Sequence, residues 1–286
     1  MSLNDKEWLI EVFENRSAFA LRYRTKLFDE VSQFQNVQIF QTEFMGRALI
    51  LDGCYMLTER DAAIYHEMLV HPAMSALPAP SHVLVIGGGD GGAVTQIVKY
   101  PKVRSVTLCE IDRMVVDACR EFLPQIAAGL DDPRVQVLFE DGAAFVKAHA
   151  GEFDLILVDS TDPVGPAKTL FETSFYQSVK AALRDGGAAV FQTESPVFMS
   201  EVFLEAVGKL AGVFGDSRVY PYFATVPCYP GGLWSFTLCS DQVDPIKGPC
   251  SELSPALEQT LEYYTEEIRR AAFAAPAFVR RALSRQ

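Results

Sequence analysis

The stretch HVLVIGGGDGG, residues 82–92, decides the fold of this 286-residue chain. A continuous apolar run that ends in glycines is typical of a buried parallel strand that leads into a tight turn. The turn fits the pattern GxGxxG through Gly87, Gly89 and Gly92, and the residues after it have helical spacing. Glycines at such a turn permit positive φ angles and let the backbone approach a ligand closely. The stretch therefore predicts a strand–turn–helix unit that binds a nucleotide or nucleoside, and a tight turn without a ligand is the plainer alternative.

Asp90 lies inside this glycine turn. A dinucleotide-binding protein presents such a turn and the following helix to a pyrophosphate. A carboxylate in the turn repels phosphate, so Asp90 argues against a dinucleotide and favours a nucleoside ligand without phosphate groups.

Strand-like and helix-like segments alternate on both sides of that turn. Strands are predicted over residues 82–87, 105–112, 135–141, 153–160, 187–193, 218–225 and 233–240, and helices over 93–100, 113–123, 142–150, 173–184 and 200–211. This alternation predicts an α/β fold with a doubly wound, mostly parallel, Rossmann-like sheet. Residues 254–286 are predicted to form two helices.

The residues before this region have a different pattern. Short alternating stretches (WLIEVF, FALRY, KLFDEV, NVQIFQTEF and RALILDG) are broken by turn residues, which predicts strands. We therefore expect a small N-terminal β-domain over residues 1–60, and a catalytic α/β domain with C-terminal helices over residues 61–286.

Acidic residues follow the predicted parallel strands where each strand ends. Ligands of such sheets bind outside the carboxyl ends of the strands. Glu110 is placed to accept hydrogen bonds from ribose hydroxyls. Asp141 either accepts from an adenine amino group or caps the helix that follows it. Asp159 and Asp162 suit a dicationic amine, since one carboxylate can take a proton while the other holds positive charge; for Asp162 alone, a solvated turn residue is the alternative.

Two histidines in HEMLVH resemble a zinc-binding motif. His66 and His71 are five residues apart, however, so their rings do not share a helical face and we predict no metal site. His66, beside Tyr65, is either a polar group in a pocket wall or a core histidine with satisfied hydrogen bonds.

Composition narrows the possible partners. The 25 Lys and Arg residues against 37 Asp and Glu give a net charge of −12. Nucleic acids and anionic membranes both require a basic surface, so neither is an expected partner. The sequence shows neither a secretory signal nor an apolar run of transmembrane length, and its six cysteines include no CxxC pair. We expect a cytoplasmic protein with reduced thiols.

Many ordered motifs resemble those of the spermidine synthases, which are polyamine aminopropyltransferases. The motifs are SQFQNVQIFQTEF, LDGCYMLTERD, YHEM, IGGGDGG, CEID, EDG, VDSTDPVGPA, FQTES, VPCYPGGLWSF and YYTEEIRRAAFAAPAFVRRAL, between residues 32 and 283. The resemblance implies transfer of an aminopropyl group from decarboxylated S-adenosylmethionine to putrescine, without a resident cofactor or metal. It also implies a homodimer or homotetramer.

The resemblance also assigns site residues. Those matched to the donor, decarboxylated S-adenosylmethionine, are Gln35, His66, Gly87, Gly89, Asp90, Glu110, Ile111, Asp141 and Gly142. Those matched to the acceptor, putrescine, are Tyr65, Asp159, Asp162, Gln192 and Tyr229, with Asp159 as the catalytic general base. Asp90 would repel the carboxylate of ordinary S-adenosylmethionine and pair with the ammonium group of the decarboxylated form.

Other functions stay open at this point. A putrescine N-methyltransferase shares most of these motifs, although FQTES with Gln192 resembles the synthases. Spermidine, agmatine and cadaverine are alternative acceptors, and a silent nucleoside- or polyamine-binding protein is the non-enzymatic alternative. Three residues depart from the family pattern: Met56, Ala62 and Arg269. None of them is a predicted site residue, so we expect these departures to change at most the shape of the acceptor site.

Overall fold

The computed structural model describes residues 7–163, 165–248 and 253–285. An antiparallel five-stranded sheet comes first, with its strands in chain order. Its members are β1 (Trp8–Phe13), β2 (Ser17–Val31), β3 (Asn36–Thr42), β4 (Arg47–Leu51) and β5 (Cys54–Thr58). The predicted N-terminal strands are thus present, with two corrections. FALRY and KLFDEV lie in one strand, β2, and not in two. They were separated in the prediction because register shifts interrupt the alternation along β2. CYMLT forms a strand that was not predicted.

A seven-stranded sheet follows. Its strands are β6 (His82–Gly87), β7 (Ser105–Glu110), β8 (Val135–Phe139), β9 (Phe153–Asp159), β10 (Leu183–Gln192), β11 (Val219–Thr225) and β12 (Leu233–Cys239), and their order is β11-β12-β10-β9-β6-β7-β8. Strands β6 to β10 are parallel, whereas β12 pairs antiparallel with both β10 and β11. The predicted α/β class with a doubly wound, mostly parallel sheet is confirmed.

Helices connect and flank these strands. They are α1 (Ala62–Ala76), α2 (Gly92–Ile97), α3 (Arg113–Phe122), α4 (Gly142–Ala148), α5 (Thr173–Ala182), α6 (Ser200–Phe214), α7 (Pro255–Glu258), α8 (Glu266–Ala272) and α9 (Ala277–Leu283). The described part of the tail holds three short helices, so the prediction of two was wrong. No helix among the described residues is both long and apolar enough to span a bilayer.

The chain order places the switch point of the sheet between β6 and β9. From β6 the chain proceeds outward to β7 and β8, and then returns to the other side of β6 as β9. Gly87 at the end of β6 is in register with Asp159 at the end of β9. Because a crevice opens where the strand order reverses, these two residues mark the expected ligand site.

The two sheets share one hydrophobic core. It contains buried residues of the small sheet, of α1 and of the larger sheet, for example Ile39, Met68 and Val85. Helix α1 lies at the junction and carries Tyr65 and His66. We propose that the small domain ends at residue 60, between β5 and α1.

Candidate active site

The glycine turn brings two strand ends unusually close together. Gly87 and Gly88 have φ angles of +76° and +69°. A Cβ atom on Gly87 would lie 2.3 Å from the backbone oxygen of Asp159, and one on Gly88 would lie 2.7 Å from Asp159 Oδ2. Any side chain at either position would displace Asp159, so these glycines admit that carboxylate to the switch point.

Asp90 and His66 form a close pair beside the turn, in which His66 is buried and Asp90 is partly buried. His66 Nε2 lies 3.0 Å from Asp90 Oδ1, which also accepts a hydrogen bond of 2.6 Å from the backbone N–H of Gly92. Burial opposes the charged form of His66, but the charge and hydrogen bond of Asp90 outweigh it, so the pKa of His66 is raised. Burial likewise opposes ionisation of Asp90, yet His66 and the Gly92 N–H lower the pKa of Asp90. His66 is therefore buried and hydrogen-bonded beside the turn, and its role in a ligand site stays a prediction.

Asp159 is a buried carboxylate with one oxygen engaged. The hydroxyl of Tyr65 donates to Oδ1 at 2.6 Å, and Oδ2 receives no donor from the described part of the chain. Burial, followed by the charge of Asp90, raises the pKa of Asp159 to about 6 against the opposing effects of His66 and Tyr65. Burial, followed by the charge of Asp159, raises the pKa of Tyr65 well above its usual value, so the phenol stays a donor.

His66, Asp90 and Asp159 converge on one point. Each offers one ligand atom, and these atoms lie within 4.8 Å of one another. Two acids and an imidazole at this spacing suit a cation, and an ammonium or sulfonium group is such a cation.

His71 lies elsewhere. Its Nδ1 is 2.7 Å from the Tyr100 hydroxyl, and its Nε2 is 3.2 Å from Gln96 Oε1. Burial lowers the pKa of His71 to about 3, so the ring is neutral. The two histidines of HEMLVH therefore do not converge on a shared ligand.

Glu110 is held by the backbone on both oxygens. The N–H of Gly89 donates to Oε2 at 3.1 Å and the N–H of Asp112 donates to Oε1 at 2.9 Å. Burial raises the pKa of Glu110 to about 7. Gln35 Nε2, directly before β3, donates to Oδ2 of Asp112, the N-cap of α3, at 3.0 Å. Ile111 lines an open groove beside them.

Asp141 caps helix α4. Its Oδ1 accepts hydrogen bonds from the backbone N–H groups of Ala143 and Ala144 at 2.7 and 3.3 Å, and the residue is exposed. The helix-cap alternative is thus what the structure displays. Gly142 packs closely on the end of β6, since a Cβ atom there would lie 2.4 Å from Ile86 Cγ2.

A separate cavity opens on the other side of Tyr65. Its lining includes four residues predicted for the acceptor, namely Tyr65, Asp162, Gln192 and Tyr229. Asp159 lies one hydrogen bond away, through the Tyr65 hydroxyl.

Aromatic rings form one wall of this cavity. The ring of Tyr229 packs 5.7 Å from that of Tyr65 and 4.5 Å from that of Trp234. The Tyr229 hydroxyl donates to the backbone oxygen of Met56 at 2.8 Å, so this tyrosine joins the large sheet to β5. The wall can cover the methylene chain of a ligand whose ends are polar.

Two carboxyl groups of the cavity were missed by sequence reasoning. Glu194 lies two residues beyond Gln192 within FQTES, at the carboxyl end of β10, and its side chain is fully buried. Its position beyond a strand end could have identified it. Glu11 comes from β1 in the small sheet, and no local pattern distinguishes it from any other acid on a strand.

Comparison with known proteins gives a consistent result. The family model described as spermine/spermidine synthase domain matches residues 62–247, and that described as spermidine synthase tetramerisation domain matches residues 7–59. The chain is 40% identical over 272 residues to a polyamine aminopropyltransferase of Desulforudis audaxviator, covering 95% of this chain and 97% of that protein. It is 41% identical over 273 residues to spermidine synthase 1 of Hyoscyamus niger, covering 93% of this chain and 86% of that protein.

Solved structures agree with these sequence relatives. A crystal structure of spermidine synthase in complex with the transition-state analogue AdoDATO superposes with a TM-score of 0.92 at 35% identity, covering 100% of this chain and 97% of the other. Spermidine synthase from Thermotoga maritima superposes with a TM-score of 0.89 at 34% identity, covering 99% and 96%.

Proposed function

The chain belongs to the spermine/spermidine synthase family, and from that premise we propose that it transfers the aminopropyl group of decarboxylated S-adenosylmethionine to putrescine. It is a polyamine aminopropyltransferase of the spermidine synthase type. The observation that supports the chemistry most directly is Asp159, a buried carboxylate between the glycine turn and the acceptor cavity. One of its oxygens accepts a hydrogen bond from Tyr65, and the other receives no donor from the described part of the chain.

The donor lies along the carboxyl ends of β6, β7 and β8 in this proposal. Glu110 accepts from the ribose hydroxyls, while Gln35 and Ile111 shape the same end of the site. Gly87 and Gly89 let the nucleoside approach the backbone, and Asp141 with Gly142 borders the adenine. For Asp141 this role must coexist with the helix cap, and both cap bonds use Oδ1.

Asp90 and His66 hold the aminopropyl arm. A carboxylate in the glycine turn attracts the terminal ammonium of the decarboxylated donor. Ordinary S-adenosylmethionine carries a carboxylate on the same arm, and Asp90 repels it. The acid in the turn therefore selects the donor and disfavours methyl transfer.

The acceptor occupies the cavity beyond Tyr65. Asp162 and Gln192 hold the remote ammonium of putrescine, while Tyr65 and Tyr229 cover its methylene chain. This places the other nitrogen toward Asp159.

The reaction is then a direct displacement. Asp159 takes a proton from the attacking ammonium, and the freed lone pair attacks the carbon next to the sulfonium. A C–N bond forms, the C–S bond breaks, and methylthioadenosine leaves as a neutral thioether. Because the leaving group is already a cationic sulfur, orientation and deprotonation of the amine are the catalytic requirements. The residues described here need no resident cofactor or metal for these steps.

The setting of the enzyme follows from the same premise. The match to a tetramerisation domain supports an oligomer, which we propose is a homodimer or homotetramer. We also propose a cytoplasmic location, and the five described cysteines are all free thiols.

One assay tests the function. The purified protein is incubated with either sulfonium donor and with putrescine, cadaverine, agmatine or spermidine, and the products are identified by mass. We expect spermidine and methylthioadenosine from the decarboxylated donor with putrescine. A methylated amine from the carboxylated donor would instead indicate a methyltransferase, and the absence of product with every pair would indicate a silent binding protein.

A further inference from the structure

The acceptor cavity is lined by two neighbouring carboxyl groups, those of Asp162 and Glu194. Their side chains lie within hydrogen-bonding reach of each other. A carboxylate oxygen can only accept a hydrogen bond, so a hydrogen bond between the two groups requires a proton on one of them. Like charges at such a distance do not both ionise readily, and the two groups titrate as a pair.

The surroundings of Glu194 fix it in this position. Gln192 Nε2 donates to Glu194 Oε1 at 3.0 Å, and the Glu194 N–H donates back to Gln192 Oε1 at 3.1 Å. Oε2 is buried and receives no N–H or O–H from the residues that the structure describes. Glu194 also has a φ of +68°, an uncommon conformation for a non-glycine residue that is often found at functional sites.

The other groups around the pair supply no positive charge. Glu11 on β1 and Cys54 on β5 line the same cavity as Asp162. Tyr65 and Tyr229 line the same cavity as neutral phenols, and none of its described lining residues is Lys or Arg. Without a cationic ligand, only a proton can reduce the negative charge of the pair.

We propose that Asp162 and Glu194 form a proton-sharing pair that recognises the remote ammonium of the acceptor by exchanging the shared proton for it. This inference rests on the proposed function. Before binding, the pair carries one proton and a charge of −1. When the ammonium enters, the proton leaves to solvent and the pair carries −2, so that an amine with a second cationic end is preferred over one without it.

The electrostatics of the pair are consistent with this exchange. Burial, followed by the charge of Asp162, raises the pKa of Glu194 well above its usual value, and burial also raises the pKa of Asp162. An entering ammonium lowers both pKa values. Acceptor binding therefore tightens as the pH rises toward the value at which the free pair loses its proton.

Calorimetry tests the exchange. Putrescine is titrated into the full-length enzyme, saturated with methylthioadenosine, in two buffers of different ionisation enthalpy, which gives the number of protons released. The comparison ligand is 4-amino-1-butanol, in which a hydroxyl replaces the remote ammonium. We expect putrescine to release about one proton more than the amino alcohol. The subtraction cancels protons that leave the attacking nitrogen.

Variants locate the effect. In Glu194→Gln, we expect the difference between the two ligands to vanish and putrescine to bind at least about tenfold more weakly. Glu201→Gln, at an exposed position on α6, is the matched control and should behave as the wild type. If Glu194→Gln does not fold, Asp162→Asn gives the same test. If the amino alcohol binds too weakly to measure, we compare the number of protons that putrescine releases from the wild type with the number that it releases from the variant. A larger number in the wild type supports the pair, and equal numbers overturn it.

The outcomes separate this inference from the proposed function. Equal proton release by the two ligands in the wild type, or an unchanged difference in Glu194→Gln, would overturn the proton-sharing pair while putrescine remains a substrate. If the mass assay detects no conversion of putrescine, the proposed function itself fails.

Discussion

Replacing Asp159 with Asn removes the proposed base with little change in shape. The amide oxygen of Asn can still accept the 2.6 Å hydrogen bond from the Tyr65 hydroxyl, and the amide group occupies the space that Gly88 leaves open. The orientation of substrates should therefore survive, and the loss should be that of proton transfer alone. A positioned general base contributes about 10²- to 10⁴-fold, so we expect kcat to fall by that factor, or by about 3–5 kcal/mol in activation free energy.

The same variant should be more stable than the wild type. A carboxyl group whose pKa is raised by folding, here from 3.8 to about 6, lowers the free energy of unfolding once the pH exceeds both values. The effect is absent below pH 3.8, develops up to about pH 6, and reaches on the order of 3 kcal/mol above it. Asn does not titrate, so at pH 7.5 the variant should unfold at a higher temperature while it has lost most of its activity.

Activity should also depend on pH through this group. Only the ionised form of Asp159 can accept a proton, so with a pKa of about 6 the wild type should lose activity below pH 6. About one tenth of the groups remain ionised one pH unit lower. We expect this inflection in kcat/KM for the donor at putrescine concentrations well below saturation, where the pKa of the free enzyme governs the rate, and its disappearance in Asp159→Asn.

Three measurements together test this assignment: turnover by product mass, methylthioadenosine affinity by calorimetry, and melting temperature. The expected pattern is a large loss of kcat, little change in nucleoside affinity and a higher melting temperature. Turnover within a few-fold of the wild type would refute Asp159 as the base. A comparable loss of both nucleoside affinity and stability would instead assign Asp159 a structural role.

Four further substitutions follow from the structure. Gly92→Ala should sharply lower activity, because the new Cβ would lie 2.2 Å from His66 Cε1. Gly212→Ala, whose Cβ would meet nothing within 4 Å, should retain activity and gain up to about 1 kcal/mol in unfolding free energy. Steady-state kinetics and melting curves check both variants, and unchanged activity in Gly92→Ala would contradict the close packing. At a pH of about 8, above the pKa of about 7 of Glu110, Glu110→Gln should weaken methylthioadenosine binding by about 1.5–3 kcal/mol, since a charged acceptor is lost from the ribose. Calorimetry that shows equal affinity would exclude this role. Glu67→Gln should lower the unfolding free energy by about 1–3 kcal/mol. The buried Glu67 side chain accepts hydrogen bonds from three backbone N–H groups of the C-terminal tail at 2.7–2.9 Å. A denaturant titration with an unchanged midpoint would show that these tail contacts are dispensable.

Local periodicity was sufficient to predict most of the fold. Strands β6 to β9 and the helices between them are short units whose apolar pattern reflects burial on the two faces of one parallel sheet. Prediction failed where the pattern was interrupted or the unit was very short. Register shifts in β2 divided one strand into two apparent ones, and the short tail helices α7 to α9 were counted as two rather than three.

The strand-end rule predicted that several acids lie at one edge of the sheet, and it did so for a physical reason. The carboxyl ends of parallel strands lie on one edge of the sheet, so Asp90, Glu110, Asp141 and Asp159 come near one another whatever the details of packing. That rule cannot state what each acid does there. For Asp141 it left the helix cap and the adenine contact equally possible, and only the structure shows the cap.

The sequence by itself determined the sheet, its switch point and the acids beside that point, because these depend on periodicity and on residues near one another along the chain. Only the tertiary structure decided which groups meet across long separations. Helix α1 brings His66 to Asp90 and Tyr65 to Asp159, and the small sheet brings Glu11 to the cavity that Asp162 and Glu194 share. Such contacts depend on how two sheets pack around one core, which no local pattern encodes, and the same burial sets the protonation state of each acid.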